Sequence, residues 1–186
     1  MKPWKTLARS TILDLGKYLK VENHVVELPD GTIIDDWSWV IAPDFVLVVA
    51  VTIDSKFVCF RQTKYAVDGV TLAPVGGIIE AGEDPLSAAK RELIEETGYI
   101  AEEWIFLGKY PVNANRGVGT GYLYLARSAH QIAEPISDDL EEQELLLLDM
   151  DKVEQAIAKS AFSILSWTAC VALALLYLKG ENPTKP

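Results

Sequence analysis

Cysteine is scarce in this sequence: only Cys59 and Cys170 occur among its 186 residues. Both stand among apolar residues, without the spacing of metal ligands and without a histidine arranged to activate a thiol. Isolated cysteines of this kind are typical of small buried side chains in a reducing compartment. We therefore expect a cytoplasmic protein that uses no cysteine nucleophile.

Positive charge is also in short supply, because 17 Lys and Arg face 27 Asp and Glu, for a formal net charge of −10. Non-specific binding to nucleic acid depends on neutralising phosphates with Lys and Arg, so no nucleic-acid partner is expected. A small substrate that carries phosphate is still compatible with this charge, since bound metal ions can invert the local field.

Long apolar runs are missing with one exception. Charges interrupt the first 20 residues before any signal-peptide core is complete. Residues 160–178 carry no charge and approach the length of a membrane span. Three serines, a threonine and a modest apolar density at its start favour a C-terminal core helix instead. No membrane partner is expected.

The sequence has no repeats or long linkers, and its length suits one domain with a substantial core. We expect a short opening helix, then a hairpin of strands 18–28 and 32–41 around Pro29-Asp30-Gly31. A second hairpin is expected at 45–53 and 56–62. The later strands are expected at 71–73, 104–110, 121–126 and 144–150, and the later helices at 85–97, 151–158 and 160–178. Strands with a few interspersed helices predict an α+β or α/β sandwich.

The segment from Gly76 to Tyr99 has the marks of a glycine loop followed by a helix. Asp84 is a candidate N-cap, and Pro85 suits the first helical position, where its missing N–H is harmless. An apolar stripe can pack inward, and Gly98 supplies a C-terminal stop.

Three carboxylates lie on the other side of this predicted helix. Glu92, Glu95 and Glu96 stand at i, i+3 and i+4, so their side chains point the same way and repel one another. A solvated acidic face is the plain interpretation. A hard divalent cation is the functional one, because Mg²⁺ prefers carboxylate oxygens.

At these spacings the segment resembles the signature of the Nudix family. The fixed positions of that signature are occupied by Gly77, Glu83, Arg91, Glu92, Glu95, Glu96 and Gly98. Tyr99 replaces the usual aliphatic residue at the last position. The resemblance implies a mixed β-sheet between helices, an α/β/α sandwich within the α+β class, here with an additional N-terminal β-hairpin.

The resemblance also implies a metal site and roles for its residues. Glu92 and Glu96 would be the principal ligands of Mg²⁺, for which Mn²⁺ can substitute, and Glu95 would share a metal or its waters. The carbonyl of Gly76 would be a further ligand. Arg91 would orient the carboxylates, and the remaining acid of the signature, Glu83, would support a metal or pair with Arg91.

A general base is expected in a late acidic loop, by similarity to the ADP-ribose pyrophosphatases of this family. In the stretch 138–144, Glu144 is the first choice and Glu142 the second. An ordinary acidic surface loop is the alternative, although loops commonly carry catalytic residues.

The flanks resemble the ADP-ribose or ADP-sugar pyrophosphatase branch, in which N-terminal strands form a homodimer and supply aromatic stacking. Trp37 and Trp39 lie two apart on a predicted strand and can clamp an adenine from one face; interface or core positions are the alternative. Arg61 and Lys64 either reach phosphates or are ordinary exposed charges. Pro74 stands one position further from the acidic loop than the branch usually has it.

We therefore expect a metal-dependent pyrophosphatase that converts ADP-ribose or an ADP-sugar into a nucleoside monophosphate and a sugar phosphate. Hydrolysis of another nucleoside diphosphate derivative, such as GDP-mannose or a dinucleotide, is the second hypothesis. A non-catalytic nucleotide-binding module of the same fold is the third. Residues 1–42 are expected to form a β-rich extension for dimerisation and base binding, and residues 43–186 the Nudix domain with its C-terminal helix.

Overall fold

The structure, a computed structural model, describes residues 1–136 and 142–180. The strands are β1 Lys5–Asp14, β2 Lys20–Glu27, β3 Ile33–Ile41, β4 Phe45–Thr52, β5 Phe57–Thr63, β6 Val70–Ala73, β7 Val75–Ile78, β8 Tyr99–Ile100, β9 Glu103–Asn113, β10 Gly117–Gln131 and β11 Gln143–Leu148. The helices are α1 Pro85–Thr97, α2 Met150–Ala158 and α3 Leu165–Leu178.

The chain divides into two compact units. The first, which we call the N-terminal unit, combines Met1–Asp44 with Tyr110–Thr120. The second, the sheet–helix unit, combines Phe45–Lys109 with Gly121–Pro186. The division predicted from the sequence, at residues 42 and 43, stays a prediction, and the N-terminal unit includes a later segment that this division did not assign to it.

The N-terminal unit is built on an antiparallel meander of β1, β2 and β3. The predicted hairpin is confirmed: Leu28 and Thr32 close the turn through a backbone hydrogen bond of 2.8 Å, and Asp30 accepts from the amide of Thr32. The expected opening helix is wrong, because residues 5–14 pair with β2 as a strand. Two register shifts interrupt that pairing, and all of β1 is exposed.

The sheet–helix unit contains a mixed sheet. Strand β10 runs parallel to β4, whereas β5 and β7 are antiparallel to β4, and β6 and β11 are antiparallel to β5. The predicted second hairpin is confirmed, and its turn places Ser55 at φ 60°. The α+β prediction, a mixed sheet with helices, is confirmed by this arrangement.

Alternation along β4 gives this sheet two apolar faces. Val46, Val48 and Ala50 pack with α1, whereas Leu47, Val49 and Val51 pack with α2 and α3. Consecutive side chains of a strand point to opposite faces, so a strand covered on both sides is apolar throughout. The helices therefore lie on both faces of the sheet.

The uncharged C-terminal segment forms a core helix that begins at Leu165 rather than at residue 160. Cys170, Val171 and Ala174 are buried in the core on the side of α2 and α3. Across the ranges 1–136 and 142–180, no helix has the length and apolar character needed to span a membrane. Burial raises the pKa of both thiols, Cys59 and Cys170, to about 12, so they are protonated and inert at neutral pH.

The end of α1 generates a stability prediction. Gly98 has φ 73°, its N–H donates to the carbonyl of Ile94, and an added Cβ would lie 1.9 Å from the carbonyl oxygen of Ala133. We expect Gly98→Ala to lower the free energy of unfolding by about 2–4 kcal/mol, from the left-handed backbone and from overpacking. Urea unfolding measures this loss.

Gly69→Ala is the matched control, since Gly69 also has a positive φ, of 80°, but has no atom within 4 Å of an added Cβ. Its cost should be only about 1 kcal/mol, the backbone contribution alone. Equal losses in the two variants would contradict a steric role for the contact with Ala133.

Candidate active site

Helix α1 begins as the sequence predicts. The carboxylate of Asp84 accepts hydrogen bonds from the amides of Leu86 and Ser87, both at 3.1 Å, and Pro85 occupies the first turn. Ala89 and Leu93 are buried against the sheet. The cap and the packed face together fix the direction of the opposite face, which carries the glutamates.

The glycine strand β7 lies directly against that helix. A Cβ on Gly77 would meet the carboxylate of Glu92 at 2.2 Å, so this carboxylate occupies the space that any side chain would need. The amide of Gly76 donates to Oε2 of Glu96 at 3.2 Å. Glu92 and Glu96 are therefore both held against glycine backbone. The carboxylate of Glu92 is a physical reason for Gly77, and the backbone oxygen of Val46, 2.5 Å from an added Cβ, is a reason for Gly76.

Arg91 connects the remaining carboxylates. Its Nε and Nη2 donate to the two oxygens of Glu83 at 2.9 and 3.0 Å, the bidentate geometry that a planar guanidinium favours. Its Nη1 donates to Glu92 at 2.6 Å and to Glu95 at 3.1 Å, and Nη2 also donates to the carbonyl of Ile78. Arg91 thus holds three carboxylates in fixed positions, and Glu83 is its partner.

Two pKa shifts describe the electrostatics of this cluster. The hydrogen bonds from Arg91 lower the pKa of Glu83 below its usual range. Burial raises the pKa of Glu92, because it penalises the charged form more than Arg91 favours it. A cation near Glu92 would oppose that effect of burial and lower the pKa of Glu92.

The donor set fits a hard divalent cation in its chemistry, since Glu92, Glu95, Glu96 and the Gly76 carbonyl offer only oxygen. Within residues 1–136 and 142–180, no three His, Cys, Asp or Glu side chains converge as the ligands of one ion would. Arg91 holds two of the three glutamates instead, and Glu96 bonds to Gly76. The ligand set stays a prediction.

A small cavity in the sheet–helix unit, which we call the Glu96 cavity, has a volume of about 120 Å³. It brings together three residues singled out from the sequence, namely Gly76, Lys64 and Glu96. Sequence reasoning missed Gln62, Gln143 and Trp167, which also line it. Gln62 ends one predicted strand and Gln143 lies just before another, and only the pairing of β5 with β11 reveals that they meet.

The expected base residues lie in a different place. Glu144 pairs with Arg61 at 2.7 Å, and both residues line a second cavity of about 700 Å³ together with Glu142. Glu144 and Arg61 are cross-strand partners, so they project from the same face. Residues 138–141 of the predicted acidic loop lie outside the described residues.

Glu144 and the glutamates of α1 lie on opposite faces of the sheet. Phe60 and Gln62 alternate with Cys59 and Arg61 along β5; Phe60 packs on the α1 side and Cys59 on the α3 side. By the same alternation Arg61, and with it Glu144, lies on the face opposite to α1. The structure therefore does not bring Glu144 together with Glu96.

Trp37 and Trp39 line one cavity of about 660 Å³ inside the N-terminal unit. Trp37 donates to the carbonyl of Asn115 at 2.9 Å, and the guanidinium of Arg116 lies 4.5 Å from its ring centre. Trp39 stacks on the ring of His24, with centroids 5.4 Å apart. The edge contact of Trp4 with Trp37 at 5.1 Å completes an aromatic cluster that the sequence showed only in part.

Comparison with known proteins places this geometry in a family. The family model of the NUDIX domain matches residues 43–168. The chain is 28% identical over 183 residues to the methanol dehydrogenase activator of Bacillus methanolicus, covering 97% of this chain and 95% of that protein. It is 29% identical over 175 residues to the ADP-ribose pyrophosphatase of Bacillus subtilis strain 168, covering 94% and 92%.

Among solved structures, the crystal structure of an ADP compounds hydrolase superposes with a TM-score of 0.79 at 19% identity. The match covers 99% of this chain and 98% of that one. At this identity it shows the fold, and the fold agrees with the predicted one. Together with the family match over most of the length, these findings show that the chain belongs to the Nudix family and is a Nudix hydrolase.

Proposed function

We propose that the chain is a divalent-metal-dependent pyrophosphatase that splits ADP-ribose or an ADP-sugar into AMP and a sugar phosphate. The observation that carries this proposal is the placement of Glu92 and Glu96 against the backbone of Gly76 and Gly77. The printed activity of the Bacillus subtilis relative supports the choice of substrate. Cleavage between the phosphates is the step that oxygen-rich cation sites serve well.

In this proposal Glu92, Glu96 and the Gly76 carbonyl hold Mg²⁺, Glu95 shares it, and Mn²⁺ can replace it. A bound cation neutralises charge on the pyrophosphate and lowers the pKa of a water molecule. The residues of the chain supply the positions. Arg91 holds Glu92 and Glu95 in place through its Nη1, and Lys64 of the Glu96 cavity provides a positive charge for a phosphate.

The general base is proposed to come from the acidic segment before β11. We prefer Glu142 to Glu144, although both line the cavity that contains Arg61. Glu144 sits within the strand, is paired with Arg61 and faces away from α1. Glu142 precedes β11, so the alternation of side chains along that strand does not fix the direction of the Glu142 side chain.

The N-terminal unit is proposed to bind the adenine and to pair with a second copy of the chain. Its cavity presents the faces of Trp37 and Trp39, and aromatic faces stack well on a nucleobase. Strand β1 leaves large apolar side chains exposed, among them Leu7 and Ile12. Such exposure is typical of surfaces that associate, which supports a homodimer.

A screen of nucleoside diphosphate derivatives with Mg²⁺ or Mn²⁺, followed by product analysis, tests the function. ADP-ribose or an ADP-sugar should give AMP, and Glu96→Gln should abolish most of that turnover. Preference for GDP-mannose or a dinucleotide would replace the substrate assignment. Binding without any nucleoside monophosphate under all metal conditions would leave a binding module and end the enzymatic proposal.

The two glycines of β7 allow a paired test of the site. In Gly77→Ala the new Cβ meets the flexible end of Glu92, so that carboxylate moves while the backbone stays. We expect turnover to fall by about 100-fold, as a misplacement of about 1 Å can cause, with a change in the free energy of unfolding below about 1 kcal/mol. Turnover assays and urea unfolding measure the two effects.

Gly76→Ala is the contrasting variant, because its Cβ would meet the backbone oxygen of Val46 at 2.5 Å. Backbone has to shift there, so the free energy of unfolding should fall by about 1–3 kcal/mol. If Gly77→Ala kept full turnover, the carboxylate of Glu92 would have no role in the reaction.

The base assignment generates a further prediction. Removing a general base costs about 100-fold or more in turnover. We expect a loss of that size for Glu142→Gln and a loss below about threefold for Glu144→Gln, since only Glu144 is committed to Arg61 on the opposite face. Steady-state kinetics at saturating metal compares them. The reverse order would restore Glu144 as the base.

A further inference from the structure

Two glutamines are neighbours on the paired strands β5 and β11 of the mixed sheet. Gln62 of β5 and Gln143 of β11 are antiparallel partners in register, so their side chains project from one face as neighbours. Both line the Glu96 cavity, where Gly76 and Glu96 also lie. Neither glutamine has a role in the proposed hydrolysis so far.

The burial of Gln62 is the first sign that this pair has a ligand. The residue is only 6% exposed, and a primary amide buried without hydrogen bonds is destabilising. Among the described residues, no hydrogen bond of the Gln62 side chain is found. No side-chain nitrogen or oxygen of the described residues is both fully buried and without a hydrogen-bond partner. The Gln62 amide is therefore accessible from the cavities that it lines, which are the Glu96 cavity and the cavity of Arg61.

The face of the sheet is the second sign. Phe60 and Gln62 lie on the side that packs with α1, and Gln143 follows Gln62 to that side by its register. The neighbouring pair, Arg61 with Glu144, lies on the opposite side. The amides, and not the ion pair, are thus directed towards the side of the sheet that carries Glu96.

Size and charge define what the cavity accepts. About 120 Å³ equals the volume of roughly four water molecules, well below the ~300 Å³ at which pockets for whole small molecules begin. This volume suits a single phosphoryl group better than a whole nucleoside. Lys64 contributes a positive charge to the cavity, and a primary amide carries N–H groups without a charge of its own.

We propose that Gln62 and Gln143 bind one phosphoryl group of the substrate, donating amide N–H groups to its non-bridging oxygens beside Lys64. The proposal rests on the proposed function for its substrate class and adds two substrate-binding residues to it. The site holds the phosphoryl group in the cavity that also contains Gly76 and Glu96.

Gln143→Glu tests this, because it keeps the size of the side chain and places a second carboxylate in the cavity. Calorimetric titration with inorganic pyrophosphate, in a chelator and without added metal, should show binding to the wild type. We expect binding to weaken by about tenfold or more in the variant, as a repelled and unpaired charge requires. Gln143→Leu, which removes the amide without adding charge, should weaken binding by about fivefold.

Gln155→Glu is the matched control, since Gln155 is exposed on α2 and the change in net charge is identical. It should bind pyrophosphate as the wild type does. Urea unfolding confirms that each variant is folded. Absence of binding to the wild type, or equal binding by Gln143→Glu and Gln155→Glu, overturns the proposal.

The two proposals fail in different ways. If the wild type hydrolyses ADP-ribose and Gln143→Glu binds pyrophosphate as the wild type does, the proposed glutamine site is wrong and the proposed function stands. If Gln143→Glu loses pyrophosphate binding but the wild type hydrolyses no nucleoside diphosphate derivative, the proposed function is wrong and the phosphoryl-binding site stands. In steady-state kinetics the variant should raise KM by about tenfold while kcat changes by less than about threefold.

Discussion

Contact between α1 and the two glycines of β7 is the constraint on which the candidate site depends. Gly77 leaves the space that the carboxylate of Glu92 fills, and Gly76 offers its N–H to Glu96. A carboxylate pressed against backbone loses hydration, which is why burial raises the pKa of Glu92. Such a group is destabilising unless a positive charge is near, and Arg91 supplies one at 2.6 Å from Glu92. The glycines of the family signature are, in this sense, a packing requirement.

The strict alternation of side chains in β5 distributes function between the two faces of the sheet. Phe60 and Gln62 face α1, and Cys59 and Arg61 face α3. Gln62, whose buried amide lies in the cavity of Glu96, directly follows Arg61, which is exposed and paired with Glu144. Side chains of a strand alternate between its two faces. A catalytic role assigned from proximity in sequence alone can therefore fall on a residue of the wrong face. This is the physical reason for preferring Glu142 over Glu144 as the base.

Local features of the site were predictable from the sequence, and features that depend on strand pairing were not. Asp84, Pro85 and Gly98 act within one helix, so their spacing was enough to predict its limits. The opening strand β1 was expected as a helix, because strand preference depends on the neighbouring strand, here β2, more than on the residues of the segment itself. The meeting of Gln62 with Gln143 depends on register between distant strands, which a single sequence does not reveal.

The charge of the protein raises a last question, namely how a chain of net charge −10 accommodates an anionic substrate. Arg91 contributes little attraction, because its hydrogen bonds are already directed to Glu83, Glu92 and Glu95. A further arginine in the Glu96 cavity would compete with a metal for the same carboxylates. Neutral amides avoid this competition, since they donate to phosphate oxygens without neutralising the glutamates. This charge distribution therefore favours the proposed arrangement, in which a cation binds the glutamates and neutral amides bind the phosphoryl group.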